Sequence, residues 1–166
     1  MRLYKKNHIF KSHIKDHKAI NAKILQLIDN AKENLSYVHP TITSTDWEDK
    51  SNSVKEYFKP IEEHVMQHMQ SMAKYYKVKA AEVDEIWFQQ YEKSSSHKWH
   101  VHPRCHFSNV YYVECPKTQG IKFTNFEIPV EVGDLISFPS FLPHMSPKIR
   151  ANRKTIISFN SQFNEA

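Results

Sequence analysis

The chain has 166 residues, of which 40% are hydrophobic and 25% are charged, and its formal net charge is +5. This length suits a single domain with its own core, and the composition excludes a disordered or collagen-like chain. The two cysteines, Cys105 and Cys115, are too few for a disulfide framework, and no apolar run approaches the roughly 20 residues of a membrane span. We therefore expect a cytoplasmic protein with free thiols and no membrane segment.

The first eighteen residues carry much of the positive charge. The basic residues there are Arg2, Lys5, Lys6, Lys11, Lys15 and Lys18. A basic arm can bind nucleic acid, which makes nucleic acid an alternative partner. Because no nucleic-acid-binding motif accompanies the charge, we favour a solvated, lysine-rich surface.

The first half of the chain has helical periodicity. Apolar residues recur at helical spacing from Lys18 to Leu35 and again in a helix predicted over Ser53–Tyr76. Ser53 and Glu56 fit a capping box, and Pro60 is expected to break or kink the helix near its start. His64 and His68 lie one helical turn apart, but without an acidic HExxH partner we expect structural histidines.

From residue 83 onward the pattern changes to strands and turns. The predicted strands are Glu85–Glu92, Trp99–His102, Phe107–Glu114, Ile121–Phe123, Asp134–Phe138 and Thr155–Phe163. Gly120 and Gly133 fall between strands, where a turn can require positive φ. This order predicts a β-sandwich or barrel supported by helices, with residues 1–80 mainly helical and residues 81–166 forming the β core.

Histidines with metal-ligand spacing lie in the second half. His100 and His102 are two residues apart, so in a strand their rings point to the same face and can bind one metal ion. His144 follows a strand end and Pro143. Nine residues later come Arg153 and then Thr155, which share a strand face and together suit a carboxylate.

These motifs, taken in order, resemble those of a known family. The order H-x-H, VYY, G-D-L-I-x-F-P-S, H-x8-R and S-F-N is similar to that of the iron(II)- and 2-oxoglutarate-dependent dioxygenases. Within them it resembles the prolyl 4-hydroxylase-like branch, including small bacterial and phage members, over residues 84–163. The resemblance implies an α+β fold with a double-stranded β-helix (jelly-roll, cupin-like) core.

The resemblance also implies a set of site residues. His100, His102 and His144 would bind Fe(II), Arg153 and Thr155 would hold the far carboxylate of 2-oxoglutarate, and O2 would be the second cosubstrate. Tyr112 matches a tyrosine that can share this carboxylate, and Tyr91 is a further expected contact. Trp87, Tyr111 and Phe138 would wall the site, although most of these belong to ordinary core packing.

One departure from the family pattern concerns His102. The usual second ligand is Asp or Glu, and a third imidazole makes the metal site more positive by one charge. Glu92 or Glu114 is an alternative source of a carboxylate, and His97 and His106 could each either support the ligands or be surface residues.

The branch suggests a prolyl side chain of a peptide or protein as the substrate. Alternatives are an oxygenase of a nucleobase or free amino acid, and a non-catalytic cupin-like metal protein.

Overall fold

The computed structural model describes residues 2–4, 8–33, 35, 38–49, 55–117, 119–150 and 153–164. The helices are α1 (His17–Lys32) and α2 (Glu62–Tyr76), and a 3-10 helix over Glu56–Ile61 leads directly into α2. The strands are β1 (Arg2–Tyr4), β2 (Ile9–His13), β3 (Ser44–Thr45), β4 (Ala80–Tyr91), β5 (His97–His100), β6 (Phe107–Glu114), β7 (Lys122–Phe123), β8 (Asp134–Pro139), β9 (His144–Ser146) and β10 (Lys154–Asn164).

The strands form two antiparallel sheets. The larger sheet has the order β1-β2-β8-β6-β10-β4-β3, and the smaller sheet has the order β5-β9-β7. Strand β10 lies between β6 and β4 and pairs with both of them along most of its length. This arrangement is that of a double-stranded β-helix and confirms the expected fold class.

Each face of the larger sheet has its own hydrophobic cluster. One face packs against the helices, where Ile157 and Phe159 of β10 meet Phe58 and the apolar side of α2. The other face turns toward the smaller sheet, with Ile156 of β10 and Phe138 of β8 in its cluster. Successive residues of a strand alternate between faces, so β10 contributes to both clusters.

The first helical prediction agrees with the structure apart from small shifts of its ends, whereas the second, Ser53–Tyr76, is α-helical only from Glu62 onward. Helix α1 begins one residue earlier and ends three residues earlier than the predicted Lys18–Leu35 segment. Pro60 lies in the 3-10 helix just before α2, as expected of a residue that cannot continue an α-helix. Ser53 lies outside the described residues. His68 is buried between Ser12 and Ser137, which confirms a structural histidine.

The prediction that the first 80 residues serve mainly as helical support was incomplete. Strand β2 pairs with β8 in the larger sheet, and β1 extends that edge. The short strands β3 and β9 were also missed. Lys11, part of the basic N-terminal segment, forms an ion pair with the buried Asp134, so at least this lysine has a structural role.

Gly133, the two cysteines and the helices agree with further expectations from the sequence. Gly133 has a φ of 91°, which is the left-handed conformation that favours glycine. Both cysteines are free. Neither described helix has the length and apolar character needed to cross a membrane.

Candidate metal centre

Three histidines converge at the smaller sheet. His100 ends β5 and is directly opposite His144 of β9, while His102 follows β5 by two residues. One ligand atom from each ring can be chosen so that all three lie within 4.8 Å of one another. The sequence prediction that His100, His102 and His144 approach a common point therefore agrees with the geometry.

Hydrogen bonds determine which nitrogen of each ring faces the centre. The Nδ1 atoms of His100 and His144 lie 2.7 Å and 2.9 Å from the carbonyl oxygens of Lys98 and Leu142. A carbonyl oxygen can only accept, so each Nδ1 carries the proton and each Nε2 keeps its lone pair. Histidines that bind metals are usually oriented by this kind of hydrogen bond.

His102 is oriented by a side chain rather than by the backbone. Its Nδ1 lies 2.8 Å from Oδ1 of Asn160, a buried residue of β10. With Asn160 as acceptor, Nε2 of His102 is also free to bind a metal.

Burial keeps the histidines uncharged. It lowers the pKa of His144 to about 3 and also lowers the pKa values of His100 and His102. At neutral pH the three rings are therefore neutral, which is the form that binds metals.

A fourth histidine lies against the cluster. The ring of His97 stacks on that of His100 with centroids 3.9 Å apart, so His97 packs against the cluster. His106 instead accepts a hydrogen bond from the backbone of Phe163 at a distance from this cluster.

A pocket between the two sheets adjoins the histidines. Its lining comprises Trp87, Gln89, Tyr91, His97, His100, His102, Ser108, Asn109, Val110, Tyr112, Ile121, Phe138, His144, Met145, Ser146, Lys154, Ile156 and Ser158. The free space is about 30 Å³, room for only one or two water molecules, so a larger ligand requires the wall side chains to move. Tyr91 and Tyr112, both expected near the cosubstrate, are part of this wall.

Lys154 is the basic residue that faces this pocket. It is only 1% exposed, and its Nζ donates to Oγ of Ser146 at 2.7 Å and to the carbonyl oxygen of Gln119 at 3.1 Å. Nζ also lies 5.1 Å from the centre of the Tyr91 ring. Burial lowers the pKa of Lys154 to about 8. Over the described part of the chain it has no carboxylate partner, so its ammonium group is solvated only by neutral hydrogen-bond acceptors and the Tyr91 ring.

Arg153 and Thr155 do not line the pocket, contrary to expectation. Arg153 forms a two-point ion pair with Glu114 through Nε and Nη2, at 2.8 Å and 3.1 Å. Thr155 donates a 2.5 Å hydrogen bond to the same carboxylate. Thr155 follows Lys154 in β10 and so points to the opposite face of the sheet, and Arg153, just before the strand, pairs with the same carboxylate as Thr155. The sequence prediction that Arg153 and Thr155 face the cosubstrate was therefore wrong. The two residues lie on the same side, as predicted, but it is Lys154 between them that faces the pocket.

Of the other residues that the sequence predicted near the site, some line the pocket and some do not. Trp87 and Phe138 line the pocket, whereas Tyr111 faces the helices and donates to Asn21. Glu114 is engaged by Arg153, and neither it nor Glu92 lines the histidine pocket. The three side chains that converge in this cluster are therefore all imidazoles.

A wider groove continues from the histidines to the surface. Its volume is about 660 Å³, and Trp47, Glu48, Asp84, Glu85, Trp87, Val101 and Arg104 line it together with the cluster. Three carboxylates against one guanidinium make this groove acidic, although the chain as a whole is basic.

Comparison with known proteins finds similarity in structure but not in sequence. No family model matches the chain, and no curated protein matches it. The viral collagen prolyl hydroxylase of Paramecium bursaria Chlorella virus 1 superposes with a TM-score of 0.66 and 12% identity, covering 95% of this chain and 97% of its own.

Two further prolyl hydroxylases superpose similarly. The Pseudomonas putida prolyl-4-hydroxylase gives a TM-score of 0.64 at 15% identity, covering 96% of this chain and 94% of its own. A Trichoplax adhaerens prolyl hydroxylase, solved with a hypoxia inducible factor peptide fragment, gives 0.67 at 13% identity, covering 96% and 84%. The chain thus has the double-stranded β-helix fold of the prolyl hydroxylases and 2OG-Fe(II) oxygenases.

Proposed function

We propose that this chain is an Fe(II)- and 2-oxoglutarate-dependent oxygenase that hydroxylates a prolyl residue of a peptide or protein. One observation supports this most strongly. Three imidazoles with free Nε2 lone pairs share a pocket with a buried lysine. The three imidazoles suit a divalent metal, and the lysine ammonium suits an anion. A dicarboxylate that chelates the metal at one end needs such a cation for its other end.

The residues present fit the metal. His100, His102 and His144 would hold Fe(II) on one side and leave its other positions for 2-oxoglutarate and O2. When bound, Fe(II) would supply the redox chemistry that activates O2, so that one oxygen atom enters the C–H bond and the other enters succinate as 2-oxoglutarate loses CO2. A set of three imidazoles carries one negative charge fewer than the usual two histidines and one carboxylate, so Ni(II) and Zn(II) are expected competitors.

Lys154 fits the far carboxylate of 2-oxoglutarate. A buried ammonium without an acidic partner is unfavourable, and a bound carboxylate would remove this penalty. Tyr91 and Tyr112 lie in the same wall and would orient the chain of the dicarboxylate. Because the free space is small, binding would require Lys154 to exchange its contact with Ser146 for the ligand.

The substrate proposal has two supports. Structures described as prolyl hydroxylases superpose over nearly the whole chain, and one of them holds a peptide fragment. The groove beside the histidines has a volume in the usual range for ligand sites. Its carboxylates would repel nucleic-acid phosphates, so peptides suit it better than oligonucleotides.

Anaerobic titration with Fe(II) and then 2-oxoglutarate tests the reaction class. We expect a visible charge-transfer band when the keto acid chelates the metal, and no band in His144→Ala. A wild-type chain that binds iron without forming the band would support a metal-binding protein without this catalysis.

Oxygen-dependent succinate formation with different substrates tests the prolyl proposal. The panel contains proline peptides flanked by Lys or by Glu, free amino acids and oligonucleotides. We expect turnover with the peptides, several-fold faster with Lys flanks at low salt because the groove is acidic. Turnover confined to oligonucleotides or free amino acids would contradict the prolyl substrate.

A further inference from the structure

A β-bulge lies next to the metal centre, where β10 pairs with β4. Phe159 is opposite Ile86 and Ser161 is opposite Val83, so Asn160 alone faces two residues, Asp84 and Glu85. Such a bulge redirects side chains out of the regular alternation, and bulges are frequent beside active sites. Both carboxylates consequently line the groove.

The bulge connects Glu85 to His102 through Asn160. Nδ2 of Asn160 donates to Oε2 of Glu85 at 3.1 Å, and Oδ1 of Asn160 accepts from Nδ1 of His102 at 2.8 Å. A carboxylate can only accept, so Glu85 requires the NH2 end of the amide. The oxygen end must then face the histidine.

This chain of hydrogen bonds matters because His102 differs from the other two ligands. His100 and His144 face backbone carbonyls, which cannot become donors. The Asn160 amide could turn over and present its NH2 group to His102. Nδ1 would then have to accept, the proton would move to Nε2, and the lone pair needed by a metal would be lost.

We propose that Glu85 is a positioning residue for the metal site, because it fixes the amide of Asn160 and thereby the tautomer of His102. This inference rests on the proposed metal site. It also suggests how His102 can serve as a ligand at the position where the dioxygenase sequence pattern has Asp or Glu. Glu85 is exposed, so water screens its charge, and its main effect is on orientation.

Cobalt affinity of purified variants tests the proposal. Asn160→Leu removes the oxygen that accepts from Nδ1 of His102. Glu85→Lys replaces the carboxylate that accepts from Nδ2 of Asn160 with a donor, which attracts Oδ1 of Asn160 and turns the amide over. We expect both to weaken Co(II) binding by about 10- to 100-fold. Glu85→Gln still offers an acceptor oxygen, so its affinity should remain near that of the wild type.

Asp84→Lys is the matched control. It makes the same charge change in the same bulge, but Asp84 has no hydrogen bond to Asn160 among the described contacts. We expect its Co(II) affinity to stay within about threefold of the wild type, because exposed charges are screened. In the metal-free Glu85→Lys protein, 15N NMR of the side chain should show the proton of His102 on Nε2.

The outcomes separate this inference from the proposed function. Equal cobalt affinities in Glu85→Lys and Asp84→Lys would overturn the role of Glu85, whether or not Asn160→Leu folds. If those two affinities are equal but the wild type binds cobalt and forms the 2-oxoglutarate band, only the positioning role of Glu85 fails and the proposed function stands. A wild-type chain that binds no divalent metal would overturn both.

Discussion

The buried Lys154 carries its charge without a carboxylate partner among the residues that the structure describes. Its two hydrogen-bond partners, Ser146 and the carbonyl of Gln119, are neutral. A lysine desolvated in this way stabilises an anion more than a surface lysine does, because less water competes for it. Arg153, one residue before it, already has its carboxylate in Glu114.

This contrast yields a prediction from two neighbouring substitutions. Lys154→Met should raise the dissociation constant of 2-oxoglutarate by about 10- to 100-fold, since hydrogen bonds to charged groups are worth about 1.5–3 kcal/mol. Arg153→Met should leave it nearly unchanged. The charge-transfer band, titrated at saturating Fe(II), measures both. The reverse order of effects would restore Arg153 as the carboxylate ligand.

Single residues also show which parts of the site can be predicted from sequence. His100 and His102 were identifiable because residues two apart in an extended chain share a face. Lys154 was not, because alternation alone does not say which face of β10 is the inner one. Asn160 was missed because its role depends on a bulge, and a bulge is a property of two paired strands.

Strand β10 is the element that joins the site to the rest of the molecule. Lys154, Ile156 and Ser158 face the pocket and Asn160 lines the adjoining groove, whereas Ile157 and Phe159 pack toward the helices. The position of both Lys154 and Asn160 therefore depends on the packing on the opposite face. The ring of Phe159 lies 5.7 Å from that of Phe58, and Phe159 is fully buried.

Phe159→Ala should consequently destabilise the fold by about 3–5 kcal/mol, because it removes a buried ring and leaves a cavity. Phe141→Ala is the control, since Phe141 is 72% exposed and its loss should change stability by less than about 0.5 kcal/mol. Urea unfolding followed by circular dichroism measures both. A loss below about 1 kcal/mol in Phe159→Ala would contradict this account of the core.

Among the helices and strands, long segments with their own hydrophobic pattern were predictable, whereas strands of only two or three residues were not. Helix α1 and strand β6 have strong patterns of their own. Strand β3 has two residues and β9 has three, so each owes its conformation to pairing with a distant strand. Strand β2 was overlooked for a similar reason, because its partner β8 is more than 100 residues away.

The stability of the whole molecule should depend on pH through its buried histidines. His68 lies between Ser12 of β2 and Ser137 of β8 and joins α2 to the larger sheet. Burial lowers its pKa from the ordinary 6.5 to about 4. The unfolded chain therefore takes up a proton first as the pH falls, and protonation favours unfolding.

The metal-free protein should lose stability between about pH 6.5 and pH 4 and keep it above that range. A shift of this size corresponds to about 3 kcal/mol for His68 alone. His68→Gln keeps a donor and an acceptor but cannot be protonated, so it should show a smaller loss over the same range. Urea midpoints at pH 7 and pH 5 test this, and equal losses in both proteins would refute it.

The pairing of Lys154 with Tyr91 across β10 and β4 has a consequence for recognising distant relatives. Strand register, rather than the length of the preceding connection, decides which side chain points inward. An insertion or deletion of one residue between His144 and β10 would change the numerical spacing but leave the inward cation opposite the same tyrosine. Relatives should therefore be aligned by cross-strand partners, because counting from the distal histidine can equate an inward lysine with an outward arginine.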